Sequence, residues 1–265
     1  MSVPKTDTTE DAFLGGQLRL RQPTRGHRAG HDAILLAAAV SATEGCHVVD
    51  FGAGIGAAGL AVARRVRGID LTLVEVNADL ARLAEANATL NNIAAKVAVL
   101  DVTASAEAFG KAGLGADSAD AVLMNPPFNS PAHHRPSPDT GRRAAHMAGE
   151  ETLESWVHAA RRILKPGGEL TLIWRAEGLG EVLAALVRGF GSLAVRPLHP
   201  RPNAPAIRIL VRAIKGGRAP LWLCPALVLN DAGAEASQDV EDILNGRASL
   251  PFDRALGSGA QEKRS

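Results

Sequence analysis

A strand that must end in glycine dictates what this chain can fold into. His47-Val48-Val49-Asp50-Phe51 is a short apolar run of the kind buried on both faces of a sheet. It opens directly into Gly52-Ala53-Gly54-Ile55-Gly56 and then into a helical stretch from Ala57 to Val66. Glycines let the backbone turn sharply and lie against a ligand, and the amino end of the helix that follows favours electron-rich groups. The same alternation continues downstream. A strand from Ile69 to Val74 ends at Glu75, a helix runs from Asn77 to Asn91, and a strand from Lys96 to Leu100 ends at Asp101. Strands separated by helices are βαβ units, so the expected class is α/β with a mostly parallel sheet and helices on both faces.

The fourth strand of this series, Asp120 to Met124, ends in Asn125-Pro126-Pro127-Phe128. Two consecutive prolines lack N–H groups and hold φ near −65°, so they continue neither a strand ladder nor a helix. The chain must leave the sheet at Asn125, which Pro126 biases toward extended geometry. The Asn125 amide oxygen and the Pro126 carbonyl can then each accept one N–H of an exocyclic amine, while Phe128 stacks on a flat heterocycle. The competing reading is a proline-rich turn with a packed phenylalanine.

The remaining segments complete a sheet. A helix is expected from Glu150 to Leu164, a turn at Lys165-Pro166-Gly167-Gly168, a strand from Glu169 to Trp174 and a helix from Leu179 to Phe190. Strands Leu193 to Leu198 and Ile207 to Ile214 form a last antiparallel pair, Leu221 to Leu229 is a further apolar strand, and Val240 to Leu244 is a short helix. Ahead of the first βαβ unit, Leu18 to Arg21 alternates as a half-buried strand, and Ala33 to Ala42 is helical. The 265 residues suit one domain over 13–253, with a hairpin or helix extension at its start and loose polar tails over 1–12 and 254–265.

Several classes are disfavoured by composition. The two cysteines, Cys46 and Cys224, support neither a disulfide framework nor a metal site, so no metal is expected and a reducing cytoplasm is the default. His133-His134 has no acid or cysteine at ligand spacing beside it. The apolar run Ile34 to Val40 is too short to span a bilayer. The net charge of +1 conceals local fields. From Val182 to Asn230 there is no acid, yet Arg188, Arg196, Arg201, Arg208, Arg212, Lys215 and Arg218 are present. If half of these share a face with the proline corner, they form a track for phosphates. The polar segment from Pro131 to Gly149, with Arg142 and Arg143, reads as a long loop beside the site.

Gly54-Ile55-Gly56-Ala57-Ala58-Gly59 spells the dinucleotide-binding G-x-G-x-x-G, and Glu75 falls near the expected offset for the ribose hydroxyls, which leaves an NAD(P)-dependent oxidoreductase open. Asp50, two residues before Gly52, instead gives D-x-G-x-G-x-G, which resembles the S-adenosylmethionine motif in which that acid faces the methionine amine. With Asn125-Pro126-Pro127-Phe128 added, the chain resembles the class I S-adenosylmethionine-dependent amino-group methyltransferases. Arg28-Ala29-Gly30-His31-Asp32 and the strand around Arg208 to Ala213 make the likeness nearest to the bacterial tRNA adenine-N6 methyltransferases.

That resemblance implies a seven-stranded Rossmann-like sheet with an antiparallel last strand. Gly30 and Asp32 would close over the methionine end of the cofactor, Asp50, Gly52, Gly54, Glu75, Asp101 and Asn125 would hold the rest, and Asn125 to Phe128 would bind the acceptor. Arg28, Arg142, Arg143, Arg208 and Arg212 are the candidate RNA contacts, with tRNA as the partner. Guanine-N2 rRNA and glutamine-N5 protein methyltransferases share the same proline corner, and a non-catalytic RNA-binding protein that keeps the fold is a further alternative.

Overall fold

The computed structural model describes residues 8–24, 28–127, 152–231 and 235–252. Strands β1 (Thr8–Phe13) and β2 (Leu18–Pro23) form a hairpin that precedes α1 (His31–Ala39). The parallel series is β3 (His47–Phe51), α2 (Ala57–Arg65), β4 (Asp70–Glu75), α3 (Ala78–Leu90), β5 (Ala95–Val99), α4 (Ala106–Lys111) and β6 (Ala119–Met124). A helix over 152–163, α5, leads to β7 (Leu164–Arg175), α6 (Leu179–Leu186), β8 (Phe190–His199) and β9 (Arg208–Lys215). The dipeptide strands β10 (Trp222–Leu223) and β11 (Leu227–Val228) and helix α7 (Gln238–Leu244) follow.

The main sheet runs β10-β8-β9-β7-β6-β3-β4-β5, with β11 also on β8. Every pairing from β5 through β7 is parallel, and β9 is antiparallel to both β7 and β8. The seven long strands therefore carry the expected class I arrangement. The sheet has nine strands rather than seven because β10 and β11 add short parallel pairings on the outer edge of β8. They replace the single strand expected over Leu221 to Leu229, where Pro225 denies the ladder an N–H.

The pleat sorts side chains between two cores. Val48, Leu71, Leu73 and Leu123 face α1, α2 and α3, whereas Val49, Val74, Val122 and Met124 face α5 and α6. Both faces are covered, which is why these strands read as continuous apolar runs. No helix among the described residues is long and apolar enough to cross a membrane.

Residues 8–12, expected to be loose, are strand. Their polar composition hid a register that pairs Thr8 with Pro23 and Phe13 with Leu18. The hairpin is docked by two asparagines one turn apart, Asn87 on α3 and Asn91 at its C-cap. Asn87 accepts from Arg21 N at 2.7 Å and donates to Arg21 O at 3.1 Å, and Asn91 accepts from Arg19 N at 2.9 Å and donates to Arg19 O at 2.6 Å. Each side chain imitates the paired bonds of a neighbouring strand, so the edge of β2 is satisfied by a helix.

Two element boundaries also moved. Helix α1 starts at His31 because Gly30 takes extended geometry as its cap. Lys165 to Gly168, expected as a turn, lie within β7, with a register shift between Ala119 and Ala121 on the β6 side.

Candidate active site

The parallel register brings the ends of the strands together. Phe51 pairs with Val74 on one side and with Met124 on the other. Gly52, Glu75 and Asn125 therefore lie side by side at the carboxyl edge of the sheet, where open α/β folds bind ligands.

The glycine loop is held from both flanks. Gly52, Gly54 and Gly56 have φ of 67°, 57° and 86°, which disfavours side chains at all three. Ala53 N donates to Val74 O at 3.0 Å, and Gly54 N donates to Glu75 Oε2 at 2.8 Å. The other Glu75 oxygen accepts from Asn77 N at 2.8 Å, at the start of α3. Glu75, 7% exposed, thus ties the loop to the next helix before any ligand arrives. At Gly54 an added Cβ would meet no atom within 4 Å, so the loop faces open space there.

Asp50 lies beneath the loop, 3% exposed, and accepts from Gly59 N at 2.8 Å. A Cβ at Gly59 would come within 3.1 Å of that carboxylate and 2.5 Å of Leu73, so this glycine is demanded by packing between α2 and the sheet. Burial pushes the Asp50 carboxyl up from 3.8 to about 7; the Gly59 N–H opposes the shift and the charge of Glu75 adds to it. A cation placed beside Asp50 would relieve it, which is what an ammonium group supplies.

At the acceptor corner, Oδ1 of Asn125 is buried without a hydrogen-bond partner among the described residues. Pro126 is buried and Pro127 exposed. A buried acceptor left unpaired costs about 1–3 kcal/mol, a cost that a donating ligand removes. Phe128 lies outside the described residues, as do Arg142 and Arg143 of the expected loop and His133-His134.

Other expected site residues have partners within the fold. Asp101, exposed, accepts from Thr103 N at 2.7 Å and Thr103 Oγ1 at 2.8 Å, so one of its oxygens closes a turn. Asp32, in the first turn of α1, pairs with Nε of Arg208 at 3.0 Å, bracing α1 against the start of β9 on the acceptor side. Arg28 pairs with Asp11 at 2.6 Å and belongs to the hairpin.

The expected phosphate track is not continuous. Arg212 lies in mid-strand with its guanidinium 5.5 Å from the Phe252 ring centroid, and Arg196 donates to Pro225 O and Pro251 O. Lys215 pairs with Asp117, and with Arg188 and Arg218 it belongs to the opposite end of β8 and β9. Only Arg201 and Arg208 of the seven fall at the carboxyl end.

Two features escaped the sequence reading. Val76 and Val99 are 62% and 61% exposed beside Glu75, an apolar rim whose signal was a valine directly after a strand-ending acid. The Trp156 indole lies against Gly52, a contact with no sequence signal. A second groove, lined by Arg19, Arg64 and Arg67, opens at the amino ends of β4 and β5. There Arg64 donates to Asn91 O at 2.9 Å, so that arginine satisfies the end of α3. No cluster of metal-ligating side chains occurs among the described residues.

The sheet order and the glycine loop at its carboxyl edge are those of a class I methyltransferase fold. The chain belongs to the methyltransferase small domain family, whose model matches residues 30–196. It is similar to the tRNA1(Val) (adenine(37)-N6)-methyltransferase of Tolumonas auensis, at 26% identity over 183 residues, 68% of this chain and 72% of that one. It is also similar to the ribosomal RNA small subunit methyltransferase C of Pseudomonas aeruginosa, at 30% identity over 146 residues, 55% of this chain but 37% of that one. A solved structure from Agrobacterium tumefaciens, described as a predicted O-methyltransferase, superposes with a TM-score of 0.70 at 35% identity, covering 83% of this chain and 98% of that one. S-adenosylmethionine is the cofactor, and the open cradle at Gly54 and the buried acid Asp50 fit it.

Proposed function

We propose that the protein methylates an exocyclic amine of a nucleobase, adenine N6 in tRNA. The observation that carries this reading is Oδ1 of Asn125, buried without a partner among the described residues, one residue beyond β6, whose neighbour β3 leads into the glycine loop. An amine bears two protons and needs two acceptors, for which the amide oxygen and the Pro126 carbonyl are suited; a hydroxyl bears one. The relative from Tolumonas auensis, named for adenine-N6 methylation of a tRNA, supports the choice of base and of RNA.

Bound S-adenosylmethionine supplies a methyl group on a positively charged sulfur. Glu75 and the Gly54 backbone are the groups suited to the ribose, and Asp50 to the methionine ammonium. Asp101 is a candidate for the adenine amine, and Gly30 with Asp32 for the methionine end. Asn125 and Pro126 would accept both amine protons, which favours a pyramidal nitrogen with its lone pair directed at the methyl carbon. No strong base is required, because the nitrogen would lose its proton to solvent only after the methyl group has moved from sulfur to nitrogen and left S-adenosylhomocysteine. Catalysis comes from alignment and from dipoles matched to positive charge developing on nitrogen. The adenine must be splayed from its stack, with Phe128 as the stacking surface. Of the surface cations, Arg201 and Arg208 lie at the carboxyl end of the sheet and are the candidates for flanking phosphates, although Arg208 also pairs with Asp32; Arg28 pairs with Asp11, and Arg212 lies in mid-strand against Phe252.

Mass spectrometry of nucleosides from RNA incubated with the protein and isotopically labelled S-adenosylmethionine tests the proposal. Label in N6-methyladenosine is expected. Label in N2-methylguanosine, in a 2′-O-methyl nucleoside or in protein glutamine would refute the assignment of the acceptor.

A further inference from the structure

We infer that Trp156 is a positioning residue for the cofactor loop, holding Gly52 in place from the α5 side. The inference rests on the glycine loop being the cofactor site. Trp156 lies on α5 and is 9% exposed. A Cβ built at Gly52 would lie 2.5 Å from Cη2 and 3.0 Å from Cζ3 of its indole, and the three nearest atoms to that position all belong to this ring. Real Cβ atoms do not approach so closely. The indole therefore occupies the space that a side chain at position 52 would fill.

This assigns the first glycine of the motif a reason beyond its φ of 67°. The loop is gripped between two supports. On the α3 side Glu75 accepts from Gly54 N at 2.8 Å, and on the α5 side the indole presses on Gly52. Removing either loosens the loop, and a backbone that lies against a ligand must be ordered before binding if affinity is not to be lost in ordering it.

Trp156 belongs to the core that also lies under the acceptor half. It shares one core with Phe51 and Met124, the paired residues that directly precede Gly52 and Asn125. Its neighbours Leu153, Val157 and Ala160 anchor α5 in that core at 0–3% exposure. The ring thus backs the end of β3, from within the core that also holds the end of β6. Motion of α5 would be transmitted to Gly52 through this contact.

The test uses the full chain and S-adenosylhomocysteine, read by calorimetry and by intrinsic fluorescence. Ligand should change the tryptophan emission of the wild type. Trp156→Phe should abolish most of that change, although Trp174 and Trp222 remain, and should keep affinity within about twofold because a ring still backs Gly52. Trp156→Ala should weaken binding by roughly tenfold or more through the loosened loop. An emission change undiminished in Trp156→Phe, or wild-type affinity in Trp156→Ala, would overturn the inference. Should Trp156→Ala fail to fold, Trp156→Leu replaces it in the calorimetry, while the fluorescence comparison stands unaltered. A wild type that gives no binding heat would instead overturn the cofactor site itself, and this inference with it.

Discussion

Cofactor affinity should rise with pH through about 7, and the group responsible is Asp50. Its carboxyl, 3% exposed, is pushed up from 3.8 to about 7 by burial, against the stabilising Gly59 N–H and with help from the nearby Glu75 charge. In the absence of ligand an acid raised in this way binds its proton more tightly folded than unfolded. Stability therefore falls as pH rises from 3.8 to about 7 and is level above that, by an amount on the order of 4 kcal/mol at most. A ligand ammonium placed beside Asp50 selects the ionised form, so binding expels a proton wherever the free protein still holds it. With an apparent value of about 7, the fraction ready to bind is near one in eleven at pH 6 and above nine in ten at pH 8. The dissociation constant for S-adenosylhomocysteine should then fall about tenfold from pH 6 to pH 8. Calorimetry in two buffers of different ionisation heat should report close to one proton released at pH 6 and almost none at pH 8. Asp50→Asn should remove the pH dependence, bind more weakly at pH 8, and stabilise the ligand-free protein above pH 7. A wild-type affinity that is flat from pH 6 to pH 8, with no buffer-dependent heat, would refute the pairing of Asp50 with a cation.

Three substitutions test the other supports. Asn125→Ala should lower turnover by roughly 100-fold while leaving S-adenosylhomocysteine affinity within about twofold, since the amide is assigned to aligning the acceptor; single-turnover kinetics on RNA check this. Glu75→Ala leaves the N–H groups of Gly54 and Asn77 without their acceptor. It should weaken cofactor binding and reduce stability by about 1–3 kcal/mol, seen by calorimetry and urea unfolding. Asn87→Leu removes the bonds to both backbone groups of Arg21 and to Ile55 O at 3.0 Å. Hydrogen exchange should then quicken selectively over the β1–β2 hairpin, and unchanged protection there would contradict its docking through Asn87.

Much of this site was legible because it depends on backbone rules. Gly52, Gly54 and Gly56 announce a turn with positive φ, and all three adopt it. Apolar strands alternating with helices announced parallel pairing, and the register that sets Phe51 beside both Val74 and Met124 is part of it. What was hidden depends on contacts distant in sequence. Asn87 and Asn91 look like ordinary helix-surface amides, yet they dock a strand some 70 residues away in the chain. The strand over Thr8–Phe13 is polar because it is an exposed edge, so composition resembled a tail. The arginines after Val182 were visible as a charge excess, but strand direction divides them between the two ends of the sheet, a fact that linear charge density does not encode. Trp156 carried no motif at all; its role arises only where α5 crosses the end of β3.

A crystal structure with S-adenosylhomocysteine and an adenine-containing RNA oligonucleotide tests the central claim most directly. The amine nitrogen of a splayed adenine should lie within hydrogen-bond reach of Asn125 Oδ1, at about 2.7–3.2 Å, and face the sulfur of the bound ligand across the end of β3. Ligand density at the amino ends of β4 and β5, or an Asn125 amide bonded to the protein itself with the base bound elsewhere, would contradict it.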